Sequence, residues 1–356
     1  MKTKLTSLLL FVVLLFIQNV FAQELGEFKP KEDTFGLGKL KSKPKKIYIS
    51  NFSINYQLFN VKQKTNKGGS LFRDKGVQGD ATAELMVGLG SLSESDFQLI
   101  ANNLYQDFVS QIKSKGFEII SADVAGKTNT YEGFTKAKGP FVIASDKPGI
   151  ITAVPEGFEF YYMDRSKVGK ALAAKFGAMN TTQQSLSKDL DDVVVVAVDL
   201  YVFFMKDVYA FQGNAANIKI KTQLSLVANE TIAAKSDDKG IFKKQVEYIT
   251  GANTINFTCG KYPIGGSAES VYTGLLKKDF TIENVIDEKV IQSYAKGAVD
   301  FVGTDTYFGK YYEAENKSSA KTTIIPVDTK KYNEGVIKAG KEFLKYHLDA
   351  FSSEFK

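Results

Sequence analysis

The chain has one cysteine and one histidine in 356 residues. Cys259 has no partner, so intrachain disulfides are excluded and stability must come from a packed core. Zinc sites built on several Cys or His ligands are excluded for the same reason. Nothing near Cys259 would clearly depress its pKa, and it reads as a free structural thiol. His347 lies four residues after Phe343 in a helical pattern, with no nucleophile motif near it. It reads as a partly exposed helix residue and not as a catalytic base. There is no Gly-x-Ser-x-Gly elbow and no calcium-loop pattern. Beyond residue 22 no apolar run is long enough to span a bilayer. No internal repeat is evident.

Other short patterns fail on context. Gly335-Val-Ile-Lys-Ala-Gly340-Lys341 matches most of a phosphate-binding loop, but Glu342 stands where Ser or Thr would hold magnesium, and the stretch lies inside a helical pattern. Ser110/Lys113 and Ser293/Lys296 fit Ser-x-x-Lys without its companion motifs, and both read as surface pairs on helices. Carboxylates adjoin at Asp191/Asp192, Asp237/Asp238 and Glu156/Glu159, a pattern more typical of caps and turns than of a hydrolase. Asp199 lies in the most apolar strand, where burial would raise its pKa unless it finds a partner. No cofactor is expected.

The N-terminus carries the clearest positive signal. Lys2 and Lys4 precede an unbroken apolar run from Leu8 to Ile17, and Val20-Phe21-Ala22 offers a small residue before Gln23. This order is that of a cleavable signal peptide over residues 1–22. No cysteine lies near the cleavage point, so the product is expected to be exported, periplasmic or extracellular, soluble and not a lipoprotein. Losing Lys2 and Lys4 lowers the net charge from +6 to +4, which is mild and spread out and predicts no nucleic-acid partner.

Forty-four per cent hydrophobic and 12% aromatic residues suffice for a packed core. Residues 23–45, with Lys39, Lys41, Lys43 and Lys45, read as an exposed basic leader. Residues 46–356 read as one large α/β domain, mixed α+β, with 121–165 as an insertion, folded or mobile. A strand over 47–58 leads to a Gly-, Lys- and Asn-rich loop at 62–80. A helix over 94–114 follows, with Ser93 and Asp96 as its capping box and Gly116 as its C-cap, and then a strand at 117–120. Short strands are expected at 141–144, 150–154 and 158–163, and small helices at 166–176 and 182–190. The strand 193–205 is apolar on both faces, so it should be central, with helices packed on the sheet. Residues 217–228 alternate and should pair antiparallel to it. A further strand is expected near 242–248, and helices at 282–302 and 329–351.

The aromatics at Phe158, Phe160, Tyr161 and Tyr162 read first as core. Tyr307, Phe308, Tyr311 and Tyr312, between two expected helices, form the candidate interaction surface.

Several segments together resemble a known group. These are the first strand ending in Asn51-Phe52, the helix Leu104-x3-Phe108-x3-Ile112 before Gly116-Phe117-Glu-Ile-Ile120, the strand Asp192-Val-Val-Val-Val196, and Lys219 to Val227 running into Asn229-Glu-Thr-Ile-Ala-Ala. The pattern is similar to exported domains of the curli-secretion-channel type, the outer-membrane activators of peptidoglycan synthases and the N-terminal domain of the TolB protein. It spans residues 46–120 and 185–235. The chain departs from the group in lacking a lipid-bearing cysteine, in residues 121–165 and in its C-terminal third. The resemblance implies a non-enzymatic envelope protein that binds other envelope or secreted proteins or forms a homo-oligomer. It carries over no catalytic residue. Two rival expectations are a small-molecule or glycan-binding protein using the aromatic segments, and a carboxylate-dependent envelope hydrolase using Asp192 or Asp199.

Overall fold

The computed structural model describes residues 24–66, 81–145, 147–163, 179–208, 216–237, 245–295, 301–306, 309–314 and 322–356. Within them the chain is a mixed α/β fold built on an eleven-stranded sheet. Its strands are β1 (Pro30–Phe35), β2 (Lys46–Gln57), β3 (Glu118–Ile119), β4 (Phe141–Ala144), β5 (Ile150–Val154) and β6 (Val194–Asp207). They continue with β7 (Ala216–Leu226), β8 (Thr254–Lys261), β9 (Ala268–Leu276), β10 (Phe280–Thr281) and β11 (Val290–Ala295). Three helices matter here: α1 (Glu94–Ser114), α2 (Met179–Asp189) and α3 (Thr329–Ser353).

The main path across the sheet runs β1-β9-β8-β6-β2-β5-β4. β6 is central. It runs parallel to β2 on one side, and on the other it is antiparallel to β8 over its first half and to β7 over its second. Its apolar run on both faces is explained by what covers them. Val194, Val196, Val198, Leu200, Val202 and Phe204 join the large core under α1 and α3. Val193 and Val195 pack with Leu186 of α2 on the opposite face. A strand covered on two sides has no solvated face to fill with polar residues.

The α1 capping box forms, with the Ser93 N–H donating to Asp96 Oδ2 at 2.9 Å. Phe97, Ile100, Ala101, Leu104, Phe108 and Ile112 are its buried stripe, and Gly116 follows at φ +81°. Gly340 of the phosphate-loop-like pattern is a helix-packing residue. A Cβ on Gly340 would lie 2.8 Å from Leu104 Cδ1, so glycine lets α3 approach α1. β7 alternates as expected, with Ile218, Ile220, Thr222, Leu224 and Leu226 all buried.

Several expectations are corrected. Residues 24–45 are not a solvated leader. β1 pairs with β9, Leu40 is buried, and Lys43 Nζ bridges Asp192 (2.8 Å) and Glu269 (2.9 Å). No helix forms over 282–295. Residues 290–295 instead complete the ladder of β7, pairing with 216–221, because that edge of β7 needs backbone partners. Residues 301–306 are likewise a strand. The expected loop at 62–80 begins as strand, since 59–66 pairs with 81–89. The described residues among 121–163 are folded, with a helical turn at 122–125 and four strands. The expected helix at 166–176 lies outside the described residues. Among the described residues no helix is long and apolar enough to cross a membrane.

Candidate functional site

The candidate interaction surface does not sit between helices. Tyr311 and Tyr312 lie in a hairpin strand, Gly309–Ala314, paired with Phe301–Thr306. Tyr307 and Phe308, and the side chains of the other two, lie outside the described residues.

The other aromatic segment is better placed. Phe158 is buried against Tyr105, with ring centroids 5.4 Å apart, and stacks on Phe160 at 5.7 Å. Phe160 in turn meets Tyr162 at 6.3 Å and Phe141 edge-on at 6.5 Å. The four rings Phe158, Phe160, Tyr162 and Phe141 therefore lead from the core out to β4, the last strand of the sheet path. Tyr161 points elsewhere and stacks on Tyr131.

β4 has the sequence Phe-Val-Ile-Ala and no charge. Phe141 is 36% exposed, Ile143 53% and Tyr162 45%. The inner edge of β4 pairs with β5 in the register Phe141↔Val154, Ile143↔Thr152. The Ser145 N–H donates to Ile150 O at 2.9 Å, continuing that register. Bonded and non-bonded pairs alternate in an antiparallel ladder. Phe141 and Ile143 therefore turn their N–H and C=O groups inward, whereas Val142 and Ala144 turn theirs outward. Among the described residues no strand meets that outer edge.

The opposite edge is guarded. β1 begins at Pro30 and carries Lys31, Glu32 and Asp33, all three exposed, with Phe35 its one large apolar side chain. Proline and charges are the usual means of stopping an edge from templating another strand. β4 has neither within it.

Asp199 lies on the sheet face away from α1 and α3, in a polar band. Its Oδ1 accepts from Ser53 Oγ at 2.6 Å and from Asn51 Nδ2 at 3.0 Å. Asn55 Oδ1 accepts from Thr152 Oγ1, and Asn256 Oδ1 from Thr273 Oγ1. Asp199 is thus partnered by an amide and a hydroxyl and half-buried. The paired carboxylates do not converge on it. Asp192 is bound to Lys43, Glu159 to Lys136 (2.7 Å), and Glu156 is exposed. Asp238 lies outside the described residues. Ser110 and Lys113 are exposed on α1.

An open cleft of about 670 Å³ is lined by Glu283, Asp287, Glu288, Asp328 and Lys331, among others. Two of its acids already have structural work: Glu288 binds Lys221 and Gln223, and Asp328 caps α3. Among the described residues no three His, Cys, Asp or Glu side chains are grouped so as to hold a metal ion.

Cys259 is buried, donates to Asp192 O, and its thiol is pushed up to about 12 by burial. We expect no reaction of the folded protein with a thiol reagent such as DTNB at pH 8, and one equivalent in guanidinium chloride. Rapid labelling of the folded chain would contradict the buried placement.

Neither the exposure of β4 nor the guarding of β1 is readable from composition alone. The one sequence signal is the uncharged Phe141-Val-Ile-Ala144, which marks a strand but not an edge. No family model matches the chain, and no similar curated protein or solved structure is found for it.

Proposed function

We propose that the chain is an exported, non-catalytic envelope protein that acts through protein contacts, made at the outer edge of β4 and the aromatic rings beside it. The observation that carries the reading is the unguarded edge: uncharged, exposed, and continuous with Phe160 and Tyr162. Such an edge offers backbone donors and acceptors for strand addition, while neighbouring apolar side chains supply affinity. The signal-peptide pattern of residues 1–22 supports export, and the resemblance of residues 46–120 and 185–235 to envelope domains points the same way.

A photo-crosslinking amino acid at Tyr162, in the cell that makes the protein, tests this. The expected result is a discrete protein adduct from position 162 and none from Ile264, which is 92% exposed but remote in the fold. Equal, diffuse labelling from both positions would sink the reading.

The polar band around Asp199 favours a second reading, a binding protein for a small polyhydroxylated molecule or glycan, since amides, hydroxyls and one carboxylate are the groups that orient such ligands. Saccharide binding detected by calorimetry and lost in Asp199→Asn, with the fold retained, would support it. Binding unaffected by that change would remove the band from consideration.

A further inference from the structure

We infer that β4 pairs antiparallel with β4 of a second copy of this chain, across a two-fold axis through Ile143. The inference rests on the reading of β4 as a contact edge and names its partner.

The register follows from the backbone. Val142 and Ala144 point their N–H and C=O groups outward, so a partner strand must bond at those two residues. A second β4 does so when Val142 faces Ala144 of the copy and Ala144 faces Val142. Four hydrogen bonds then close, and Ile143 lies opposite itself as a non-bonded pair, the closer of the two pair types. Phe141 of each copy faces Ser145 of the other. Phe141 and Ile143 share one face, so each edge brings the same apolar strip to the junction.

Charge selects the copy as occupant. β4 bears no charge, so self-pairing sets no like charges opposite each other. Of the flanking lysines, Lys138 is paired with Glu159 of its own chain at 3.4 Å, and Lys147 keeps its charge but is drawn inward onto the ring and hydroxyl of Tyr201 on β6. The guarded β1 edge disfavours a head-to-tail contact of β4 with β1, which would propagate as an open chain. An isologous β4–β4 contact closes after two copies.

The experiment uses Ile143→Cys. Cys259 is buried, so the new thiol is the accessible one. Cα atoms of a non-bonded antiparallel pair are about 4.5 Å apart, within disulfide range. Mild oxidation should convert Ile143→Cys to a disulfide-linked dimer on a non-reducing gel. Ala144→Cys should stay monomeric there, because the two residues 144 lie diagonally, beyond the roughly 7 Å limit. Light scattering should give twice the chain mass for the unmodified protein and one chain mass for Ile143→Lys, which would set two ammonium groups on the axis.

Equal cross-linking of both cysteine variants would overturn the register. A dimeric mass without cross-linking of Ile143→Cys would place the interface elsewhere. A monomeric mass with no cross-link would overturn the inference outright. In that last case an adduct from Tyr162 to a different protein would leave the contact-edge reading standing, whereas no adduct would remove both.

Discussion

Asn253→Ala is expected to cost about 2–4 kcal/mol of folding stability: the buried Tyr201 N–H loses its amide partner, worth roughly 1–3 kcal/mol, while Tyr201 O and Val227 O each keep a backbone bond and lose a second one. The reason lies in the central strand. β6 is bonded to β8 through Asp199 and to β7 from Val202 onward, and at Tyr201, between the two ladders, the Val227 N–H just past β7 donates to Tyr201 O at 3.2 Å but no strand meets the Tyr201 N–H. Asn253 fills that gap. Its Oδ1 accepts from the Tyr201 N–H at 3.0 Å, and its Nδ2 donates to Tyr201 O at 2.9 Å and to Val227 O at 2.8 Å. Its own N–H also reaches Val227 O, at 3.0 Å. The side-chain amide thus stands in for a peptide unit at the point where one neighbour of β6 gives way to the next. Asn253 is fully buried, so water cannot replace the lost bonds without a cavity opening. Urea unfolding should show the midpoint falling with the slope unchanged. Asn253→Asp should be no better, because a carboxylate would face two carbonyl oxygens it cannot bond. A loss below about 1 kcal/mol for Asn253→Ala would show that the junction is held by other means.

That junction shows where reading from sequence stops. The members of the sheet were legible wherever one short window carried the pattern: the two-sided apolar run of β6, the alternation of β7, the capped stripe of α1. Those signals are local, and burial confirms each of them. The order of strands is not local. Asn253 reads as an ordinary turn residue until β7 and β8 are known to share one side of β6. The basic stretch before residue 46 misleads for a similar reason. Lys43 finds its carboxylates 149 and 226 residues away, and β1 is held by a backbone ladder to β9 that polar side chains do not advertise. Residues 290–295 fit a helical period and a strand equally well, and the need of β7 for a partner decides between them. β4 was legible as a strand. That it ends the sheet, and so becomes a contact surface, depends on the whole topology.

Lowering the pH from 6.5 to 4 is expected to destabilise the protein by up to about 3 kcal/mol through His347 alone, at about 1.4 kcal/mol per pKa unit. Where the helical pattern predicts a partly exposed residue, the ring is fully buried on α3. Its Nε2 lies 3.2 Å from Leu275 O, and a carbonyl only accepts, so Nε2 carries the proton. Nδ1 then accepts from the Tyr272 hydroxyl at 2.8 Å. The rings of Phe343, Tyr346 and Tyr272 surround it, and Gly274 lies so close that a Cβ there would come 2.4 Å from its Cγ. This pocket fits the neutral imidazole. Burial holds its pKa down at about 4, against an ordinary 6.5, the bond to Leu275 opposing only weakly. The unfolded chain therefore takes up a proton below pH 6.5 and the folded one does not until about pH 4. Stability is fully present above 6.5, is lost as pH falls through that window, and levels off below it. Asp96, Asp349 and Glu288 are held below the usual carboxylate range by their partners, so their losses come at lower pH. With one histidine in the chain, the part of the slope between 6.5 and 4.5 that disappears with the ring belongs to one group, while Glu230, whose carboxyl burial holds above its usual range, acts in the opposite sense with or without it. Unfolding free energies of the unmodified protein and of His347→Gln across that window check this. The variant should be less stable at pH 7 but lack the fall that His347 causes, so that the two curves converge toward pH 4. Parallel slopes would mean that the ring takes up its proton in the folded state, and the buried hydrogen-bond arrangement would then be wrong.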